Sequence, residues 1–338
     1  MIALIPGILM MASAGAPASC PLSMHLSDAI VATDIRKNAS TALRGAGTCD
    51  PRSTSAARLD SARTLLVQFQ RLDPAAVNRT DPDILIIDYS WDGGGARQLS
   101  RWDVWKLAWR PGRFPRIVLA YVSVGEAEDY RFYWNRATSG GKAAFLDRPN
   151  PSWPGNVRVK FWDPAWKAVL YSGRDAWIDR ILDAGFDGVF LDTVDTAEAW
   201  AEDGRPDAPD RMADLITALA RHARLRDPGF IVVASNPFAL MGRADVIDAL
   251  SGVLAEDYVM RGESIATERT LDALMQPLRR AARAGLSVML VEYPGSRKGI
   301  DRFSSVCASE GFLCYAGRKT LDRIGVMLPR RLQQEAGR

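Results

Sequence analysis

ILDAGFDGVFLDTVDTAEAW (181–200) contains the clearest pattern of secondary structure in the sequence. A helical run ends at Gly185, where a residue in the left-handed conformation commonly terminates a helix. The apolar run that follows is continuous rather than alternating, as expected for a strand covered on both faces. It stops at Asp192, and a second acid, Asp195, follows in the next loop. The segment therefore predicts a helix–strand unit of an α/β protein with carboxylates at the end of the strand.

Seven further runs of this kind recur along the chain. They are TLLVQFQ (64–70), DILIIDY (83–89), RIVLAYVSVG (116–125), FIVVASN (230–236), GVLAED (252–257), SVMLVEY (287–293) and FLCYAG (312–317). Helical patterns lie between most of them, and eight strands that alternate with helices predict a (β/α)8 TIM barrel. An open doubly wound sheet is the alternative, but no G-x-G-x-x-G motif follows the first strand and the sequence has no P-loop.

One connection is much longer than the others. The third strand ends near Gly125 and the fourth begins near Asp187, whereas an ordinary loop between a strand and a helix has about 2–6 residues. This insertion between strands 3 and 4 contains a short candidate strand, VRVKFW (157–162), and many aromatic residues. On the carboxyl-terminal face of a barrel, it predicts a wall or lid of the site.

Composition excludes several classes of function. The chain of 338 residues carries 43 Lys and Arg against 40 Asp and Glu, a net charge of +3, which predicts no nucleic-acid partner. A histidine-dependent nucleophile or a His-rich zinc site would have to use His25 or His222, the only two histidines. His222 lies among arginines in a helical run, where a solvated face is expected. An enzyme of this composition is predicted to use carboxylates as its acids and bases.

The ends of the chain predict processing and export. Residues 1–18, MIALIPGILMMASAGAPA, are apolar, end in small residues and resemble a secretory signal with a cleavage site after Ala18. They are too short to cross a membrane, so we expect a periplasmic or extracellular protein without a stable membrane span. Residues 19–60 have no sustained period and predict a linker or poorly ordered arm. The (β/α)8 domain is then expected over residues 61–330, as a monomer by default.

The cysteines leave two questions open. Cys20 follows Ala18 and Ser19, which resembles a lipoprotein box, but Pro17 stands where an aliphatic residue is usual. Cys307 and Cys314 either form a disulfide bond in an oxidising compartment or remain two buried thiols.

Polar residues collect where the predicted strands end, which is where barrel enzymes keep their functional groups. Besides Asp192 and Glu256, the candidates for substrate contact are Asp88, Tyr89, Tyr121, Ser123, Glu126, Asp195, Asn236, Glu292, Tyr293 and Tyr315, with Lys160 and Trp162 in the insertion. Carboxylates, tyrosines and an amide suit a polyol or a cationic substrate, whereas a phosphate would need cations at these positions.

All ten tryptophans lie between residues 91 and 200. Trp177 is expected to pack a helix, and Trp102, Trp105 and Trp109 share a helical face that we expect to lie in the core. The others that flank the insertion or a strand end offer flat surfaces for sugar rings, namely Trp134, Trp153, Trp162 and Trp200.

Two carboxylates at the ends of apolar strands, with aromatic surfaces nearby, are typical of a glycosidase. Such an enzyme needs one acid to protonate the leaving oxygen and one carboxylate to attack the sugar or to activate water. The candidates are Asp192, which closes GVFLD, and Glu256, near the end of GVLAED. Desolvation at these positions raises the pKa of a carboxyl group, as a general acid requires.

Long segments of the chain resemble glycoside hydrolase family 114. YVSVGEAEDYRFYW (121–134), NPSWPGNVRVKFWDPAWKAVL (150–170) and residues 181–200 carry the resemblance, and DILIIDYS (83–90), GVLAED and VMLVEY match the family's strand ends. The resemblance implies a (β/α)8 barrel that acts as an endo-α-1,4-polygalactosaminidase. Its partner would be an amino-sugar polysaccharide such as galactosaminogalactan, and it would need no metal ion or organic cofactor.

The resemblance also implies roles for individual residues. Asp192 and Glu256 match the catalytic pair, with Asp192 as the nucleophile and Glu256 as the acid/base of a retaining mechanism. The substrate contacts that it implies are Asp88, Tyr121, Glu126, Trp162, Asp195 and Glu292. Two segments depart from the family pattern, SNPFAL (235–240) and Tyr258-Val259-Met260. The alternatives are a non-catalytic polysaccharide-binding barrel and an α-glycosidase of different sugar specificity, such as one for neutral α-galactosides.

Overall fold

The structure is a computed structural model that describes residues 57–330 except for residues 142 and 266. The signal peptide predicted over residues 1–18, Cys20, and all but the last few residues of the predicted arm lie outside the described part. The strands, in chain order, are β1 (Leu65–Gln68), β2 (Ile84–Ile87), β3 (Ile117–Ser123), β4 (Glu126–Glu128), β5 (Leu146–Pro149), β6 (Asn156–Val159), β7 (Gly188–Asp192), β8 (Ile231–Ser235), β9 (Gly252–Glu256), β10 (Met260–Arg261), β11 (Ser264–Ile265), β12 (Ser287–Glu292), β13 (Leu313–Ala316) and β14 (Val326–Leu328).

Helices follow most of these strands and cover the outside of the sheet. They are α1 (Pro74–Thr80), α2 (Arg101–Ala108), α3 (Trp134–Thr138), α4 (Pro164–Lys167), α5 (Trp177–Ala184), α6 (Thr196–Glu202), α7 (Ala208–Arg226), α8 (Ala244–Ala249), α9 (Glu268–Arg283) and α10 (Arg297–Glu310). As the sequence predicts, Gly185 ends α5 in the left-handed conformation, with φ of 81°.

The main sheet has nine strands in the order β1-β2-β3-β7-β8-β9-β12-β13-β14. All neighbours are parallel except β14, which runs antiparallel to β13. The chain beyond β13 also meets the first strand, since Leu321 O accepts a hydrogen bond of 2.9 Å from Phe69 N and Arg330 N donates one of 2.8 Å to Arg63 O. The sheet is therefore a nearly closed barrel, and each of the eight predicted runs contains one of its parallel strands. The predicted (β/α)8 fold is confirmed.

The parallel register brings the carboxyl ends of the strands to one edge of the barrel, which we call the mouth. Ser123 pairs with Asp192, and Val291 pairs with Glu256. The strands read as continuous apolar runs because all residues of β2, β3 and β12 are buried. Polar side chains reach solvent only where the runs stop, so the mouth collects them.

Residues 124–187 connect β3 to β7 and form a small layer beside the mouth. They contain a three-stranded antiparallel sheet, in the order β4-β6-β5, and the helices α3 to α5. Two indole groups tie this part of the chain together: Trp166 Nε1 donates to Val124 O at 2.9 Å, and Trp200 Nε1, from α6, donates to Val159 O at 3.1 Å. Trp177 is fully buried, which confirms its predicted packing role.

The predicted core position of three tryptophans is wrong. Trp102, Trp105 and Trp109 are 61%, 46% and 51% exposed, while α2 buries Val104 and Leu107 against the barrel. Both stripes fit helical periodicity, and the aliphatic stripe is the one that packs. The larger aromatic stripe consequently faces solvent.

Two remaining expectations concern cysteine and histidine. Cys307 in α10 and Cys314 in β13 form a disulfide bond, which decides between the two alternatives for this pair. His222 Nε2 lies 2.9 Å from Asp179 Oδ1 on the neighbouring α5, so it joins two outer helices. Among the described residues, no helix combines the length and apolar character that a membrane crossing requires.

Candidate active site

Asp192 and Glu256 are the last residues of β7 and β9, with only β8 between the two strands. Both side chains are partly exposed, although every other residue of their strands is buried. Each carboxyl group therefore stands at the boundary between the apolar barrel and solvent. A carboxyl group in this position can contact a ligand from solvent, although it has lost part of its hydration.

The environment of Asp192 favours its protonated form. Burial and, to a smaller extent, the charge of the neighbouring Glu256 raise the pKa of this carboxyl group to about 8. The hydroxyl of Tyr121, on the adjacent strand β3, donates a hydrogen bond to Asp192 and lowers that pKa by a smaller amount. Near neutral pH the native site therefore holds a proton that an exposed aspartate would have lost.

Glu256 is held by groups from two neighbouring strands. The Tyr293 hydroxyl, just beyond β12, donates a hydrogen bond to its Oε1, and its backbone N–H donates to Asn236 Oδ1 at 3.1 Å. Burial raises the pKa of Glu256, and the Tyr293 hydrogen bond lowers it by a smaller amount. The two carboxyl groups interact, since the charge of Glu256 raises the pKa of Asp192.

Further acids surround the pair. Asp195 accepts a hydrogen bond from the Asn236 side chain, and its charge raises the pKa of Glu256. The pKa of Asp195 is itself raised, first by desolvation of the carboxyl group and then by the charges of Glu198 and Glu126. Lys319 lies on the same side of the mouth, where its Nζ is 3.2 Å from Asp257 Oδ2. The mouth near β7 to β9 is accordingly acidic, with a cation at its edge.

The backbone turns sharply after each of these three strands. Thr193, Asn236 and Asp257 directly follow β7, β8 and β9 and have φ of 60°, 44° and 50°. A positive φ is uncommon outside glycine and is most costly for a β-branched residue such as threonine. The Thr193 hydroxyl compensates by donating to Asp192 O at 2.6 Å and accepting from Gly125 N at 2.8 Å. Such conformations concentrate at functional sites, and here they mark the ends of the strands that carry the pair.

Four of the predicted substrate contacts have no exposed surface in this structure. They are Tyr89, Ser123, Glu292 and Tyr315, each 0% exposed. Tyr89 packs edge-on against Trp177, and the Tyr315 hydroxyl accepts a hydrogen bond from Gly325 N at 2.6 Å. The Ser123 hydroxyl donates to Glu126 O at 2.9 Å. These side chains face packed interior rather than the mouth.

Glu292 instead supports the loop that follows Glu256. Its Oε1 accepts hydrogen bonds from Tyr258 N at 2.8 Å and Val259 N at 2.6 Å, and its Oε2 accepts one from Met260 N at 3.4 Å. Burial raises its pKa to about 7, and the three backbone donors lower it by smaller amounts. Through these three backbone hydrogen bonds, the carboxylate holds the start of the loop beyond β9 in place.

The Asp88 carboxylate is also bound by another side chain of the protein, that of Arg131. Its Oδ2 is 2.7 Å from Arg131 Nη1, and Glu128 binds the same guanidinium group with Oε2 2.6 Å from Nε. All three residues are at most 7% exposed. Burial raises the pKa of Asp88 to about 6, and Arg131 opposes that shift. The guanidinium also lies 5.4 Å from the ring of Tyr121, so this network packs directly behind the residue that contacts Asp192.

Three predicted contacts from the insertion and its base have partners within the protein. Glu126 is 6% exposed and accepts one hydrogen bond each from Asn150 Nδ2, at 2.7 Å, and Asn156 Nδ2, at 2.9 Å. Lys160 Nζ donates to Ala144 O at 3.1 Å. Trp162 is partly exposed, but its ring packs edge-on against Trp200 and beneath the guanidinium of Arg205, 4.8 Å away.

The structure adds an aromatic pair that the sequence did not place at the site. Phe238 and Tyr258, beyond β8 and β9, stack with ring centroids 4.6 Å apart and planes at 25°. The pKa of Tyr258 is raised by burial and by the charge of Glu198, which puts this ring beside the acidic mouth. Phe238 lies in SNPFAL (235–240) and Tyr258 in Tyr258-Val259-Met260, the two segments that depart from the family pattern. That departure was the signal in the sequence that could have drawn attention to this aromatic pair.

Within the described part of the chain, no three His, Cys, Asp or Glu side chains are arranged so that they could hold a metal ion.

Comparison with known proteins places this barrel in a family. Residues 112–332 match the model of glycoside-hydrolase family GH114. An uncharacterised protein of Thermotoga maritima is 30% identical over 76% of this chain and 81% of its own length. Another, from Methanocaldococcus jannaschii, is 30% identical over 74% of each chain.

A solved structure has the same fold. The glycoside hydrolase domain of PelA from Pseudomonas aeruginosa matches 79% of this chain and 99% of its own length, with a TM-score of 0.60 and 19% identity. At that identity the similarity shows the fold, and the family match over residues 112–332, well over half of the chain, shows the class of chemistry. The chain therefore belongs to glycoside hydrolase family 114 and is a glycoside hydrolase built on a (β/α)8 barrel.

Proposed function

We propose that this glycoside hydrolase is an endo-acting enzyme that cleaves α-1,4-linked, partly deacetylated galactosamine polymers with Asp192 and Glu256 as its catalytic pair. The observation that carries the proposal is the electrostatic coupling of two partly exposed carboxyl groups at the mouth, with the pKa of Asp192 raised to about 8. One proton shared between two carboxyl groups provides an acid and an anion in the same site at neutral pH.

The proposed chemistry proceeds with retention in two steps. In the free site the proton resides on Asp192, and substrate binding first shifts it to Glu256. Glu256 then protonates the glycosidic oxygen while the Asp192 carboxylate attacks the anomeric carbon, so the glycosidic bond breaks as a glycosyl–aspartate bond forms. Glu256, now ionised, then removes a proton from water, which displaces Asp192 and releases the sugar. Tyr121 and Tyr293 keep the two carboxyl groups oriented through their hydrogen bonds.

The acidic mouth supports an amino-sugar substrate. Asp195 and Asp257 act electrostatically on Glu256, and Glu198 acts on Asp195, so negative charge extends beyond the pair. An ammonium group of galactosamine would be attracted there, and its charge would favour the ionised form of Asp192 that the first step needs. A neutral α-galactoside would gain neither effect.

The primary test is hydrolysis by Asp192→Asn and Glu256→Gln, measured as reducing ends released from purified galactosamine polymer. Each variant should fold normally and lose at least about 10³-fold in kcat. Asp257→Asn is the matched control, because it removes a neighbouring charge outside the pair and should change KM more than kcat. Full turnover by either pair variant contradicts the assignment, and binding without turnover by the wild-type chain identifies a non-catalytic polysaccharide-binding barrel.

Two further measurements address the mechanism and the substrate. NMR of the first product distinguishes retention from inversion. Azide rescue assigns the roles, since azide attacks the sugar directly in an Asp192→Ala variant and replaces water on the glycosyl–enzyme in a Glu256→Ala variant, with opposite anomeric products. Added salt should raise KM for the cationic polymer because it screens the mouth, whereas a neutral α-galactoside would show no such dependence.

We also propose that the protein is exported. The disulfide bond between Cys307 and Cys314 supports this, because such bonds persist mainly in oxidising compartments. Mass spectrometry of the protein recovered from the cell envelope or medium should find an amino terminus after Ala18, and recovery of the uncleaved chain from the cytoplasm alone would contradict the proposal.

A further inference from the structure

The outer wall of the barrel carries a row of exposed indole rings. Trp102, Trp105 and Trp109 lie along α2 and at its end, with exposed fractions of 61%, 46% and 51%. Their rings stack in sequence, with centroids 4.6 Å and 5.4 Å apart. Phe114, in the turn that follows, is 75% exposed. We call these four residues the tryptophan face.

This face contributes little to the barrel. Val104 and Leu107 supply the buried contacts of α2, and the tryptophans are among the most exposed large apolar side chains of the described residues. Mutual stacking shields part of each ring but leaves about half of its surface in water. A contiguous aromatic patch of this kind marks an interaction surface rather than a packing feature.

The residues around the face are strongly basic. From residue 97 to residue 116 the sequence has a single acid, Asp103, and the cations Arg97, Arg101, Lys106, Arg110, Arg113 and Arg116. Arg110, Arg113 and Arg116 pair with Asp81 or Asp83. Arg97 and Arg101 are exposed, and within the described residues neither has a carboxylate partner. The surface therefore combines indole rings with uncompensated positive charge.

We propose that the tryptophan face binds the surface of an anionic lipid bilayer. Indole rings favour the interface between headgroups and acyl chains, and nearby cations are attracted to anionic headgroups. A second copy of this chain would bring the same cations together across a symmetric contact, and a cationic polymer would be repelled. The inner faces of the stacked rings are covered by one another, which leaves little flat surface for sugar rings.

The position of the face is compatible with catalysis at a surface. Helix α2 lies on the outside of the barrel, between the parallel neighbours β2 and β3, whereas the candidate active site is at the carboxyl ends of β7 and β9. A bilayer against α2 would thus leave the mouth open to a polymer beside the membrane. This binding is independent of which sugar the enzyme cleaves.

The test is cosedimentation of the mature chain, which begins at Ser19 after the proposed cleavage, with vesicles of phosphatidylcholine, with or without about 30 mol% phosphatidylglycerol. The wild-type chain should bind the anionic vesicles, and the variant Trp102→Ser/Trp105→Ser/Trp109→Ser should lose at least about tenfold in partition coefficient. Arg97→Gln/Arg101→Gln should weaken binding to anionic vesicles, as should raising salt from about 0.1 M to about 0.5 M. Trp153→Ser, which removes a 45% exposed tryptophan from the insertion, is the matched control and should bind normally.

Two controls keep the result specific. All variants begin at Ser19, so the apolar residues 1–18 contribute to the binding of none of them. Hydrolysis of soluble polymer should be unchanged in the tryptophan variant, which confirms its fold. Equal binding to neutral and anionic vesicles, or unchanged binding by the tryptophan variant, overturns the proposal. A concentration-dependent dimer that the tryptophan substitutions abolish would overturn it in favour of contact between copies.

Discussion

The hydroxyl of Tyr293, just beyond β12, donates a hydrogen bond to Oε1 of Glu256 at the end of β9. This bond crosses between adjacent strands of the barrel and lowers the pKa of a carboxyl group that burial raises. Tyr121 does the same for Asp192 from β3. Each carboxylate of the proposed pair is therefore oriented by a tyrosine on a neighbouring strand, and its proton affinity is a balance of desolvation and hydrogen bonding.

Tyr293→Phe should shift the pH profile of the enzyme. Removing the hydroxyl raises the pKa of Glu256 because the bond stabilises the ionised form, so the limb of the kcat/KM profile controlled by this group should move to higher pH. Tyr315→Phe is the matched control, since that buried hydroxyl bonds to Gly325 N and not to a carboxylate. An unchanged profile in Tyr293→Phe, or the same shift in both variants, would contradict the role assigned to Tyr293.

Asp192→Asn should stabilise the fold at high pH. The pKa of Asp192 is about 8 in the native state, against the ordinary value of 3.8 that an unfolded chain restores, so between these values the native state holds more protons than the unfolded chain. Its contribution to stability therefore falls as pH rises through that window, and the asparagine variant escapes the loss. The Tm difference between variant and wild type should be small near pH 4 and reach several degrees near pH 9. A Tm difference that does not change with pH would contradict this explanation.

Arg131→Met should be severely destabilising. The substitution leaves Asp88 and Glu128 as buried carboxylates without their common cation, which costs about 3–5 kcal/mol in the free energy of unfolding. It should also raise the pKa of Asp88, because Arg131 lowers it in the native protein. The triple variant Arg131→Met/Asp88→Asn/Glu128→Gln removes all three charges and should recover part of the loss. Urea denaturation measures both, and a triple variant no more stable than the single one would argue against this electrostatic origin.

Glu292→Ala should loosen the loop beyond β9. It leaves the backbone N–H groups of Tyr258 and Val259 without their acceptor, at a cost of about 2–4 kcal/mol in the free energy of unfolding. Amide hydrogen exchange at residues 258–260 should accelerate, and kcat should fall because Glu256 adjoins this loop. Glu292→Gln retains an acceptor oxygen and should restore most of the protection. If Glu292 touched substrate directly, Glu292→Gln would instead raise KM with exchange unchanged.

Much of the fold was predictable because a buried parallel strand has a distinct composition. Each of the eight apolar runs contains a strand, and the glycine at 185 ends its helix in the predicted conformation. The same logic predicted the position of the proposed pair, since a polar residue that ends an apolar run lies at the mouth of a barrel. These inferences use only local sequence and the common direction of the strands.

Exposure could not be predicted in the same way. Tyr89 and Tyr315 end or follow apolar runs just as Tyr293 does, yet only Tyr293 reaches the pair, because the side on which a residue projects depends on where its strand ends. Trp105 and Val104 are neighbours on one helix, and packing against the barrel buried the smaller residue. Periodicity identifies stripes on a helix but not which stripe meets the sheet.

Local sequence pattern was enough to predict the barrel and its strand ends, including the strands that end in Asp192 and Glu256, because backbone hydrogen bonding and apolar burial follow from that pattern. Which of the acids are bound by other groups of the protein depends on tertiary contacts. Glu126, Asp88 and Glu292 are engaged by amides, a guanidinium and backbone N–H groups that come from distant parts of the chain. Whether a carboxylate is solvated, paired or desolvated depends on such long-range neighbours, and that environment sets its pKa and its role.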